Sequence, residues 1–239
     1  MIMRQFRTGI LSLDSQLGGG LSSGSVILLL EEPGAGADVF TFHVALEGLN
    51  NNEKILYVIT DDTAEELKES IILYFDTAEE IISRIDILDL LSPRMGLEQE
   101  EQDAKAFLKR TRYDTLNGLK TILEKERYDR VIINNITYFF THYEVEEVLS
   151  LVEEFAVYSK QHKSIFFILM TKGMFDGQIE VAMKHAADGV IELTLKEVED
   201  EIQRRLKVLK LKRVLVPKTV LRYDLTEKGL RMESVMRVL

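Results

Sequence analysis

The sequence predicts an α/β domain: a mostly parallel sheet with helices on both faces and a C-terminal antiparallel extension. Three observations predict it. Six short apolar runs read as strands buried on both faces, and amphipathic stretches lie between them. A Gly-rich turn joins the first of these strands to a helix. After Leu195 the alternation stops, and strand-like runs follow one another directly.

The elements follow in order. Ser25–Leu30 is the first buried strand, and the run from Val39 to Glu47 is the helix after its turn. Ile55–Thr60 is the next strand, followed by an amphipathic helix over Ala64–Phe75. Ile85–Leu90 is the third. Ser92–Gln102, with Pro93, Gly96 and the acidic run from Glu98 to Glu101, reads as a solvated loop. Ala104–Glu126 is helical and leads into the strand Arg130–Asn134. Tyr143–His162 is helical and leads into Ser164–Met170; Gly189–Leu193 is the sixth strand. Lys196–Arg205 reads as a charged turn or loop. Leu206–Val216 and Thr219–Leu225 then read as strands separated by Pro217, and Glu227-Lys-Gly229 turns into a short last strand. No linker or repeat divides the chain, so 1–239 is expected to be one domain.

Composition bounds the function. The net charge of −10 argues against nucleic acid as a general partner, because phosphate neutralisation needs clustered Lys and Arg. The absence of Cys excludes disulfides, thiol nucleophiles and Cys-ligated zinc. The N-terminal residues lack the apolar stretch of a signal peptide, and no apolar run is long enough to span a bilayer. A soluble, cytoplasmic protein is expected. His43, His142, His162 and His185 show no metal-ligand spacing, and no metal site is expected.

The turn Glu31-Glu-Pro-Gly-Ala-Gly-Ala-Asp38 stands where a phosphate-binding loop belongs. Such a loop reads Gly-x-x-x-x-Gly-Lys-Ser/Thr. Here Glu31 replaces the first Gly, Ala37 the Lys and Asp38 the Ser/Thr, so only Gly36 remains of the four defining positions. Gly34, Ala35 and Gly36 still offer backbone amides to an anion. A carboxylate at Asp38, ~4 Å from a phosphate oxygen, costs about 4 kcal/mol per charge pair at an effective dielectric of 20. That weakens binding by roughly three orders of magnitude. Asp38 is instead expected to cap its own helix, accepting bonds from the free amides. A weaker expectation joins Asp38 with Asp61 and Asp62 around a divalent ion.

Thr8-Gly-Ile-Leu-Ser-Leu-Asp14, Leu17-Gly-Gly-Gly-Leu21 and Gly24-Ser-Val resemble the opening of KaiC-like members of the RecA superfamily. The resemblance continues through Glu53–Asp62, Ala187–Leu193, Leu209-Lys-Leu-Lys212 and Thr219–Arg231. It implies a RecA-like P-loop NTPase core. By position, Asp61 and Asp62 match the family's pair of catalytic carboxylates, here shorter by one methylene and read as vestigial. Asn134 matches the metal-anchoring Asp of Walker B and carries no charge. Lys210 and Lys212, followed by Arg213, match a Lys-Leu-Arg element that reaches a neighbour's nucleotide. Thr171 and Lys172 stand where relatives carry a polar sensor, before a mobile-looking loop with Met174 and Phe175 expected exposed.

The resulting expectation is a non-hydrolysing family member that acts through protein contacts, with an unknown protein partner, no cofactor and a homo-oligomer built without nucleotide. The alternative is an ATP-binding, weakly active ATPase that uses ATP and magnesium at the residual loop amides and Asp61/Asp62.

Overall fold

The computed structural model describes residues 4–95 and 115–233. It begins with β1 (Gln5–Phe6), α1 (Leu11–Gln16), β2 (Leu21–Ser22) and β3 (Ser25–Glu31). Next come α2 (Ala37–Asn50), β4 (Ile55–Ile59), α3 (Ala64–Phe75), α4 (Glu79–Ile82) and β5 (Asp86–Asp89). Then follow α5 (Thr115–Lys125), β6 (Arg130–Asn134), α6 (Thr137–His142), α7 (Val145–His162), β7 (Ile165–Thr171) and α8 (Gly177–Ala186). The chain closes with β8 (Gly189–Val198), β9 (Glu201–Leu211), β10 (Leu221–Thr226) and β11 (Gly229–Met232).

The main sheet has nine strands in the order β11-β10-β9-β8-β3-β7-β6-β4-β5. From β8 to β5 the pairing is parallel, and from β8 to β11 it is antiparallel. All six expected apolar runs are strands. They are apolar on successive residues because both faces are covered. Along β3, Ile27 and Leu29 join the layer built with α2 and α3, while Val26, Leu28 and Leu30 join the layer built with α5, α7 and α8.

The N-terminal motif is a local lock. Asp14 accepts bonds from the Thr8 amide at 2.8 Å, the Thr8 hydroxyl at 2.9 Å and the Gly9 amide at 3.1 Å. A second lock ties this segment to the sheet. Arg130, fully buried, pairs with Glu53 through Nε and donates to the carbonyls of Arg7 at 2.7 Å and Val44 at 3.1 Å.

Several boundaries differ from expectation. Most of Lys196–Arg205 is strand, not loop, because β8 and β9 continue to pair with each other to Val198↔Glu201. Charged side chains are tolerated there since this part of the hairpin is solvated. Only Glu199 and Asp200 form the turn, with Glu199 at φ 55°. β9 ends at Leu211, short of Val216, where Arg213 takes φ 62° and the chain turns. The helix expected over Tyr143–His162 begins at Val145, and a separate short helix, α6, precedes it. Of the helix expected over Ala104–Glu126, the residues before 115 lie outside those described, as do 96–102 of the expected loop.

Candidate functional site

β3 delivers Glu31 to the C-terminal edge of the parallel strands, where ligand crevices of open α/β sheets lie. The turn that follows is held tightly. Gly34 and Gly36 take φ +88° and +89°, a left-handed backbone that Gly adopts without a Cβ penalty. A Cβ on Gly36 would also come within 2.8 Å of Leu225. Gly36 is the N-cap of α2, and Ala37 is its first residue.

The amide of Ala37 donates to Glu31 Oε2 at 2.8 Å. The chain's own carboxylate therefore binds the helix N-terminus, and the residue that supplies it is Glu31, not Asp38. Asp38 lies two positions inside the N-cap, from which the capping geometry is not available. Its Oδ1 instead accepts from Asn134 Nδ2 at 2.8 Å. Behind this pair, the Tyr57 and Thr41 hydroxyls share a bond, and Thr41 also donates to the Asp38 carbonyl at 2.7 Å. Asn134 reaches the Tyr57 hydroxyl at 3.5 Å.

The electrostatics fit this packing. Desolvation, then the nearby Asp38 charge, pushes the Glu31 carboxyl up to about 7, against the Ala37 amide that lowers it. Desolvation also raises Asp38, with the Asn134 bond opposing and Asp61 adding to the rise. Asp62 is raised by partial desolvation, then by Asp38, Glu66 and Asp61. Burial raises the Tyr57 phenol, so it stays a neutral hydrogen-bonding group.

The loop is also roofed by distant parts of the chain. The Tyr223 hydroxyl donates to the Ala35 carbonyl at 2.7 Å, and Arg204 Nε to the Gly34 carbonyl at 3.4 Å. Ala35 and Ala37 are fully buried. Lys172 adds a second positive charge beside Arg204. It pairs with Glu192 at 2.9 Å and Glu32 at 3.4 Å, and its amide donates to the Glu31 carbonyl at 2.7 Å. Sequence reasoning singled out Glu31 but missed its bond to the helix N-terminus, and it missed Tyr223 and Arg204 altogether. Glu31 had a readable signal, a carboxylate where the loop begins. The roof had none, because Tyr223 and Ala35 are 188 residues apart.

Other expected residues fall elsewhere. Asp61 and Asp62 are exposed just beyond β4, and Thr63 caps α3 through a capping box with Glu66. Among the described residues, no group of three or more His, Asp or Glu is placed to hold a metal ion. Lys210 Nζ donates to the carbonyls of Lys184, His185 and Ala187, which closes the end of α8. Lys212 pairs with Asp188 at 2.9 Å. Both sit towards the end of the sheet where β3 begins, away from the Glu31 loop. Arg213 follows them in the turn after β9. Met174 is exposed as expected, but Phe175 is half-buried, with its ring 5.5 Å from that of Phe140.

Comparison with known proteins places this geometry in context. A family model described as "ATPase: KaiC" matches residues 6–235. A UPF0273 protein of Thermotoga maritima is 24% identical over 96% of this chain and 96% of its own. The circadian clock oscillator protein KaiC of a Nostoc species is 22% identical over 96% of this chain and 42% of its own. The DNA repair protein RadA of Mycolicibacterium smegmatis is 34% identical, but over only 28% of this chain and 14% of its own. Among solved structures, the KaiC-like protein PH0186 of Pyrococcus horikoshii superposes with a TM-score of 0.74 at 17% identity, covering 98% of this chain and 100% of that one. Among the described residues, no helix is long and apolar enough to cross a membrane.

Proposed function

The chain belongs to the KaiC ATPase family, and from that premise we propose that it is a non-hydrolysing member acting through protein contacts. The observation that carries the reading is the Glu31 carboxylate on the Ala37 amide. A carboxyl oxygen of the chain itself already occupies the amide at the helix N-terminus, where a nucleotide phosphate would bind. Asp38 and Asn134 support it. The family pattern pairs a hydroxyl donor with a carboxylate around magnesium. Here the polarity is reversed: the loop residue is the carboxylate and the strand residue is the donor. The pair satisfies itself without a cation. No basic residue stands at the lysine position, since Ala37 is apolar; Lys172 is engaged by Glu32 and Glu192, and Arg204 donates its Nε to the Gly34 carbonyl. The residues Gly34, Ala35 and Gly36 serve in this reading as a structural turn.

Phosphate release from ATP with magnesium tests the proposal. No release above the uncatalysed background is expected. The double change Ala37→Lys with Asp38→Thr improves ATP binding but leaves turnover low, because Asn134 still lacks a charge. Turnover by the natural chain, abolished by Asp62→Asn, would establish the second reading, a weak ATPase. The exposure of Asp61 and Asp62 beside Asp38 is the observation that favours that reading.

A further inference from the structure

The antiparallel extension is covered on one face only. Leu206, Val208, Leu221, Tyr223, Leu230 and Met232 turn inward to the layer that contains α2. The opposite face follows from the register. Thr194, Arg205 and Arg222 lie side by side across β8, β9 and β10. Beside them Glu192 faces Lys207, and Asp224 faces Arg231. Cross-strand partners share a face, with neighbouring strands ~4.8 Å apart.

Two features of this face lack an internal explanation. Arg205 and Arg222 are directly opposite each other, and like charges in that position destabilise a sheet. Arg205 Nε is also buried without a hydrogen-bond acceptor; only its Nη2 is engaged, with Gln203 at 3.1 Å. Among the described residues, Arg205, Lys207, Arg222 and Arg231 form no ion pair. The carboxylate opposite Lys207 is already taken, because Glu192 pairs with Lys172.

We infer that this sheet face is a docking surface for an acidic, partly apolar segment of a partner protein. Guanidinium groups bind carboxylates through paired N–H donors, and a carboxylate set between Arg205 and Arg222 relieves their repulsion. Apolar contact is available at the margin, from Leu209 at the bulge in β9 and from Val220 before β10, 38% and 45% exposed. A nucleic-acid strand fits less well. Asp224 and Glu233 interrupt the cations, and the whole chain carries −10. The surface is the opposite face of the strands that roof the phosphate loop, so this inference stands whether or not the loop binds nucleotide.

The test is fluorescence anisotropy with two labelled probes, a short peptide alternating Glu and Leu and a single-stranded oligonucleotide of equal charge. The peptide is expected to bind at low salt and to weaken as salt rises. Arg205→Gln with Arg222→Gln should weaken it by about tenfold or more, with an unchanged circular dichroism spectrum. If that variant misfolds, Lys207→Gln with Arg231→Gln, both exposed, replaces it. Arg222→Thr should weaken binding yet raise the melting temperature by about 1–3 °C, because it removes a like-charge pair. Failure of the peptide to bind at low salt would overturn the inference, as would tighter binding of the oligonucleotide or unchanged binding by the variants. Self-association of the natural chain that the double variant abolishes would also overturn it, since a second copy would then be the occupant.

Discussion

At the level of single residues, Glu31 is the group on which the site turns. Its folded pKa, about 7, lies above the ordinary carboxylate value. The native state therefore holds the proton more tightly than the unfolded chain does. This contribution is fully present at pH below the unfolded value and is lost as pH rises through about 7. Glu31→Gln keeps an acceptor for the Ala37 amide and cannot ionise. Its melting temperature should therefore gain on the natural chain between pH 4.5 and 8; a constant difference would exclude the titration. Asp38 and Asn134 form a second testable pair. Asn134→Asp places two carboxylates together and should cost about 1–3 kcal/mol by urea denaturation. Asp38→Ser in that background should recover most of the loss, because the hydroxyl again donates to a carboxylate. Asp38 was legible as the odd residue of the loop, but its partner was not. Sequence distance hides the 96-residue separation between Asp38 and Asn134, and helix position decides that Glu31, rather than Asp38, meets the free amide.

At the level of elements, the parallel strands were readable because burial on both faces writes a continuous apolar run. The β8–β9 hairpin was misread for the converse reason: solvated strands carry charge, and their order comes from pairing that no local pattern encodes. The Arg130–Glu53 lock was equally silent, since a lone Arg at a strand start reads as surface. Arg130→Ala should cost about 3 kcal/mol in urea, because it leaves Glu53 buried with only Arg4 opposite. A second contact staples α2 to β11. His43 Nε2 accepts from the Leu230 amide at 2.9 Å, its ring lies edge-on to Phe75, and burial pushes its pKa down to about 4. The unfolded chain takes up this proton first, so stability falls as pH drops from 6.5 towards 4. His43→Gln, which retains an acceptor, should flatten that acid limb in a thermal-melt series; an identical limb would assign the loss to other groups.

The whole molecule is a KaiC-family fold whose loop after β3 is bound and roofed by its own chain. The Lys210, Lys212 and Arg213 group lies away from that loop, so any contact between them joins two copies. Assembly of this kind should need no nucleotide and should loosen with salt, as exposed pairs are screened over ~10 Å at 0.1 M. Light scattering across a salt series should show it, and Lys212→Glu, which spares the Lys210 cap of α8, should abolish it. A monomer at every salt concentration would refute this contact. The central claim rests on the loop itself, and calorimetric titration of the natural chain with ATP and magnesium tests it most directly. No binding tighter than the millimolar range is expected; a micromolar dissociation constant would contradict a self-occupied loop.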